Sequence, residues 1–246
     1  MRKVAIYDLD GTVLRRATFT PFLFFAARRL APWRLLLAPA WILAMVLYKL
    51  GLFSRAALKQ FGLRLFLGQR MNLARLEAIS GAFAERAVGW QSRVAIRTMA
   101  ADREDGFTLV LATAAMEFYA GHIARRLGFD HVVASRIEPL SAAPGACRLA
   151  GKNCYGEEKL ARVKALFEEL GWERRECCVR FYTDSAADGP LLDWADAPVL
   201  VNVGAGGRRI AARRGWRTAR FDQGSQPVRP LPDPATGAPA GPAPGR

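Results

Sequence analysis

Five short apolar runs stand out along the chain: residues 3–8 (KVAIYD), 107–113 (FTLVLAT), 131–135 (HVVAS), 177–183 (CCVRFYT) and 197–203 (APVLVNV). Most are continuous rather than alternating, the pattern of strands covered on both faces. Between the later runs, residues 116–128 and 156–171 carry helical spacing. Each closes on a glycine, Gly128 and Gly171, suited to a C-terminal cap. Strands alternating with helices predict an α/β fold around a parallel, Rossmann-like sheet. Functional side chains are then expected at the carboxyl ends of the strands.

The interval between the first two runs departs from this rhythm. Residues 17–104 hold no convincing strand, only helical patterns at about 20–30, 33–52, 54–67 and 72–103. A crossover between parallel strands needs only a dozen or more residues. The excess predicts an all-helical cap inserted between the first and second core strands, with residues 1–16 and 105–223 forming the core. Residues 224–246 are rich in Pro, Gly and Ala without periodicity, the composition of a disordered tail.

Two aspartates, Asp8 and Asp10, follow the first run directly in DLDGT. An unpaired carboxylate inside a buried strand costs several kcal/mol, so both are expected where the strand ends. Three other element ends add chemistry: Thr113 closes VLAT, Lys159 lies near the start of a helix, and Asp184 and Asp188 follow the strand at 177–183. Singly, each has an ordinary reading as a cap, a strand-end hydroxyl or a solvated charge. Together they bring acid pairs, a hydroxyl and an ammonium to one rim.

The order of DLDGT, Thr113 in LATAA, Lys159 in GKNCYGEEKL and TDSAADGPLL resembles the haloacid dehalogenase superfamily. The resemblance covers about residues 3–205 and favours the phosphatase branch. Within it, the chain is similar to phosphoserine-phosphatase-like enzymes and to bacterial phosphatidylglycerophosphate phosphatases of subfamily IB. Thr183, where a Gly or Ser is frequent, and Gly189 after Asp188 are small departures. The resemblance implies a phosphomonoester hydrolase in which Asp8 is the nucleophile that forms an aspartyl-phosphate and Asp10 the general acid and base. It further implies that Thr113 and Lys159 bind phosphate, with Lys152 a rival for the lysine role. Magnesium would be held by Asp8, the backbone carbonyl of Asp10 and Asp184, with Asp188 and Thr12 in support.

Composition widens the substrate question. The chain has 36 Lys and Arg against 22 Asp and Glu, a net charge of +14. Such a balance favours an anionic partner: a phosphorylated small molecule, a lipid phosphate or an anionic membrane surface. The arginines are dispersed and not interleaved with aromatics in a strip, so nucleic acid is not the expected partner. Four cysteines and two histidines show no zinc spacing and fit a reducing compartment. The acids in MRKVAIYDLD occupy the place of a signal peptide's apolar segment.

Residues 35–48 (LLLAPAWILAMVLY) contain no charge, yet fall short of the ~20 residues a membrane span requires. Asp8 precedes this segment and Asp184 follows it, so a single crossing would separate two halves of one site. Flanking cations predict a re-entrant or interfacial helical pair at the cytoplasmic face of the inner membrane; a buried hairpin in a soluble cap is the competing expectation. The functional expectation is thus a magnesium-dependent phosphomonoesterase, with phosphatidylglycerophosphate ahead of phosphoserine as substrate. A phosphotransferase or a non-catalytic membrane-surface binding protein are the alternatives from other classes.

Overall fold

The computed structural model describes residues 1–68, 72–139, 147–224 and 226–228. Among these, six strands form a parallel sheet in the order β3-β2-β1-β6-β7-β8. They are β1 (Arg2–Tyr7), β2 (Thr108–Met116), β3 (His131–Ser135), β6 (Cys177–Thr183), β7 (Ala197–Val201) and β8 (Arg217–Ala219). A short antiparallel pair, β4 (Ile137–Pro139) and β5 (Cys147–Leu149), projects beside it. From β1 the chain proceeds outward to β2 and β3, then returns to the other side of β1 for β6, β7 and β8. This reversal opens a crevice at the carboxyl ends of β1 and β6, where such sheets place their ligands.

Residues alternate between two cores. Val4, Ile6, Val179 and Phe181 face one way, against α7 (Glu157–Glu169) and α8 (Gly189–Trp194). Ala5, Tyr7, Leu109, Leu111 and Tyr182 face the other, where α5 (Arg93–Glu104) and α6 (Glu117–Leu127) cover the sheet. That second core continues into α1 (Phe19–Leu30), α2 (Ala38–Lys49), α3 (Arg55–Leu67) and α4 (Leu73–Ala87). An aromatic stack ties these layers together: Phe22 of α1 lies 4.7 Å from Tyr119 of α6 and 5.3 Å from Phe83 of α4. A ninth helix, α9 (Ala205–Arg214), precedes β8, and neither element was expected from the sequence.

The helical interval is more segmented than its periodicity predicts. Residues 33–52 divide into a 3-10 turn, Pro32–Leu37, and α2, because Pro39 sits in the first turn of α2, where a missing N–H costs nothing. Residues 72–103 break at a 3-10 turn, Val88–Trp90, and restart at Ser92, whose hydroxyl caps α5 by accepting from Ala95 N at 3.1 Å. The break has a tertiary cause. Arg15 N donates to Trp90 O at 2.9 Å and Ser92 N to Val13 O at 2.8 Å, so the start and end of the interval are pinned to each other. α5 then packs on β2. Among the described residues no helix is long and apolar enough to cross a membrane.

Of the Pro/Gly/Ala segment, only residues 224 and 226–228 are among those described; Val228 N donates to Thr98 Oγ1 at 3.1 Å. The remainder, residue 225 and residues 229–246, lies outside the described residues.

One polar network crosses the interior. Arg180, within β6, donates to Asp102 Oδ1 at 2.5 Å, and Tyr7 OH donates to Asp102 Oδ2 at the same distance. Asp102 is fully buried and Arg180 nearly so. Removing one member of a buried ion pair typically costs 3–5 kcal/mol, because the other charge keeps its desolvation penalty. Asp102→Ala should therefore lower unfolding stability by about 3–5 kcal/mol in urea titrations. A loss below about 1 kcal/mol would show that the network carries little of the fold.

Candidate active site

The β1 ladder runs one residue past the strand: Asp8 N donates to Tyr182 O at 2.9 Å, which fixes the Asp8 side chain at the rim beside β6. The chain then turns sharply, with Gly11 N bonding Leu14 O and Leu14 N bonding Leu9 O, each at 2.8 Å. Gly11 has φ of +78°, and a Cβ there would stand 2.1 Å from Asp184 Oδ2. Only glycine meets both demands, the left-handed backbone and the close approach of a carboxylate. Asn202, itself at φ of +57°, donates from Nδ2 to Gly11 O at 2.7 Å and accepts from Phe221 N and Asp222 N. It holds the DLDGT turn from behind.

Lys159 enters from the first turn of α7. Its Nζ donates to Asp8 Oδ1 at 2.8 Å and to Asp188 Oδ2 at 2.6 Å, with the lysine and Asp188 each only 1% exposed. Asp188 also accepts from Thr183 Oγ1 at 2.8 Å and Gly156 N at 3.3 Å. Burial alone would depress the lysine's pKa, but the two carboxylates outweigh it and hold the pKa above its ordinary value, keeping the ammonium charged. Thr113 lies where β2 loses register with β3, between Ala112 and Met116. The strand expected to end at residue 113 thus continues irregularly to Met116, and Thr113 Oγ1 accepts from Ala115 N at 3.0 Å.

These groups line one cleft of about 260 Å³, with Asp8, Asp10, Thr113, Lys159, Asp184 and Asp188 all on its wall. Thr12 is buried in the turn behind them and is not part of that wall. Lys152, the alternative lysine, lines a neighbouring cleft instead. Arg55 at the start of α3, which the sequence offered only as a cation flanking the apolar segment, also faces this cleft, as do Tyr155 and Ser185. Arg55 lies over the Tyr155 ring at 3.9 Å. One turn further along α3, buried Lys59 donates to Ala114 O and Asn153 Oδ1, and burial lowers its pKa to about 8. In the sequence both cations read as flanking charges of the apolar segment; only the tertiary contacts reveal these partners.

Burial, and then the charge of Asp8, push Asp10 and Asp184 each up to about 7. The rim thus gathers more negative charge than Lys159 neutralises. Among the described residues, no three His, Cys, Asp or Glu side chains converge as a metal cluster. A hard cation there would instead need two carboxylates, Asp8 and Asp184, with the Asp10 carbonyl, a donor set of oxygens that suits it.

The family follows from a sequence match on the same elements. The chain belongs to the haloacid dehalogenase-like hydrolase family, whose model matches residues 5–193. A Mycobacterium tuberculosis protein named a probable phosphatase is 32% identical over 133 residues, 53% of this chain and 43% of its own length. The chain therefore matches less than half of that relative. A protein of unknown function from Bordetella pertussis Tohama I superposes with a TM-score of 0.76 at 26% identity, over 89% of this chain and 98% of that one. A phosphoserine phosphatase solved as a phospho-aspartyl intermediate analogue shares the fold, with a TM-score of 0.60 at 13% identity over 93% of this chain and 96% of its own.

The raised carboxyls set a pH dependence. Between the ordinary value of 3.8 and about 7, the folded chain holds protons on Asp10 and Asp184 that the unfolded chain has released. Their contribution to stability is complete below 3.8 and is lost as the pH rises through about 7. In EDTA, the melting temperature of Asp184→Asn should fall less steeply than that of the parent between about pH 4 and 7. Parallel curves would contradict the crowded-carboxylate account.

Proposed function

We propose that the chain is a magnesium-dependent phosphomonoester hydrolase working through an aspartyl-phosphate on Asp8. The observation that carries this reading is the Asp8–Lys159–Asp188 bridge at the carboxyl edge of β1, with Asp10 two residues away and raised to about 7. Lys159 fixes the Asp8 carboxylate and offsets its charge beside an incoming phosphate. Asp8 attacks phosphorus; the new Asp8–phosphorus bond forms as the bond to the substrate oxygen breaks. Asp10, protonated near neutrality, gives its proton to the departing alkoxide. It then takes a proton from water, which attacks the same phosphorus, breaks the bond to Asp8 and releases inorganic phosphate. Thr113 would donate to a phosphoryl oxygen. Magnesium, held by Asp8, Asp184 and the Asp10 carbonyl, would supply the positive charge that lets a phosphate dianion approach clustered carboxylates.

Of the helical residues 17–104, those before the pairing of residues 13–15 with 90–92 are read as the cap that selects substrate, while α5 beyond that pairing covers the sheet and goes with the core. Every carboxylate on the catalytic cleft wall already has a chemical role, and the cap contributes Arg55 to it. No carboxylate on that wall is then left over for a substrate ammonium, Glu157 and Glu158 lining the neighbouring cleft, and on this ground we favour a lipid phosphomonoester such as phosphatidylglycerophosphate over phosphoserine.

Phosphate release with magnesium, comparing phosphatidylglycerophosphate micelles with phosphoserine, tests both levels of the reading. Turnover of either that falls at least about 1,000-fold in Asp8→Asn supports the mechanism, and preference for the lipid supports the substrate. Undiminished turnover in Asp8→Asn would move the nucleophile elsewhere, and an added alcohol that captures most of the phosphate would make the chain a phosphotransferase. Asp10→Asn should lower kcat by about 100-fold or more with KM little changed.

A further inference from the structure

The 3-10 turn, α2 and the loop after it present an unusual surface. Trp33, Leu36, Ile42, Leu43, Leu50 and Leu52 are exposed by 55% to 81%. A helix that is apolar on every side is ordinarily buried, yet α2 buries only Trp41 and Ala44 against its neighbours. Exposed apolar side chains concentrated in one stretch of chain mark a place that something else covers.

We propose that this face docks on an anionic lipid bilayer, lying in its interfacial layer without crossing it. Three observations select that occupant. At 1.5 Å per residue, the 12 residues of α2 extend about 18 Å, well short of a hydrocarbon core of ~30 Å. Between Asp10 and Glu77 the sequence holds eleven Lys and Arg residues and no acid. This complements an anionic lipid surface and sets like charge against like if a second copy covers the face. The face also leads to chemistry. Tyr48, Lys49, Gly51 and Phe53, at and just beyond the end of α2, line a cleft of about 860 Å³ that shares Arg55 and Tyr155 with the catalytic cleft. A bilayer beneath α2 thus presents its headgroups at the mouth leading to Asp8; this last step rests on the phosphomonoesterase reading, whereas the docking does not.

The test is flotation of the full chain with vesicles of phosphatidylcholine alone or mixed equally with phosphatidylglycerol. The mixed vesicles should retain at least tenfold more protein, and raising the salt from about 0.1 to 0.5 M should weaken that retention several-fold. Leu36→Ser/Ile42→Ser/Leu43→Ser should lose retention at least tenfold while keeping the parent's melting temperature and its turnover of soluble p-nitrophenyl phosphate. Absence of retention on anionic vesicles overturns the proposal. So does equal retention of a folded variant, and so does a dimer that the variant abolishes while neither chain floats, since the face would then belong to a second copy or another protein. Retention without turnover of any phosphomonoester leaves the docking standing and removes the enzymatic reading alone.

Discussion

An ammonium buried between two carboxylates is the constraint around which this molecule is arranged. Lys159 reaches Asp8 at 2.8 Å and Asp188 at 2.6 Å where solvent barely enters. Such a triad is stable only if each remaining polar valence finds a partner, because desolvating the charges costs more than attraction alone returns. The fold meets that demand from several directions. β1 and β6 must be neighbours to place Asp8 and Asp188 together; Thr183 and Gly156 satisfy Asp188; Gly11 leaves the space that Asp184 fills. Outside the crevice created by the reversal of strand order, these groups would be far apart.

The second consequence is electrostatic. One lysine against Asp8, Asp10, Asp184 and Asp188 leaves an acidic rim, while α3 brings cations inward: Arg55 to the cleft and Lys59 to the carbonyl that follows Thr113. The opposed charges give the cleft a direction. On the proposed reading, a phosphate entering past Arg55 would meet carboxylates that repel it unless a cation intervened, and, in Asp10, a carboxyl whose pKa of about 7 would let it surrender a proton.

Much of this was legible in the sequence, for identifiable reasons. Residues 131–135 and 177–183 form strands with the bounds their apolar runs suggest, because strands buried on both faces need no partner to declare themselves. The motif carboxylates were legible because they stand against an apolar background. What escaped depends on contacts distant along the chain. The break at 88–92 exists because that segment pairs with residues 13–15, and β8 (RTA) is too short to signal itself. Asn202 hid in an apolar run, although its left-handed backbone and three hydrogen bonds organise the DLDGT turn. Arg180, inside a continuous strand, is explained by partners far along the chain, Asp102 of α5 above all. Thr12, expected in a supporting role through its place in the motif, is buried in the turn behind the cleft.

The most direct test of the central claim is to quench the enzyme with acid during turnover and determine the mass of the peptide that carries Asp8. The account predicts a fraction of that peptide heavier by one phosphoryl group, with fragmentation placing the group on Asp8 and not on Asp10. Steady turnover with the group on another residue, or with no phosphorylated peptide even when the second step is slowed, would contradict it.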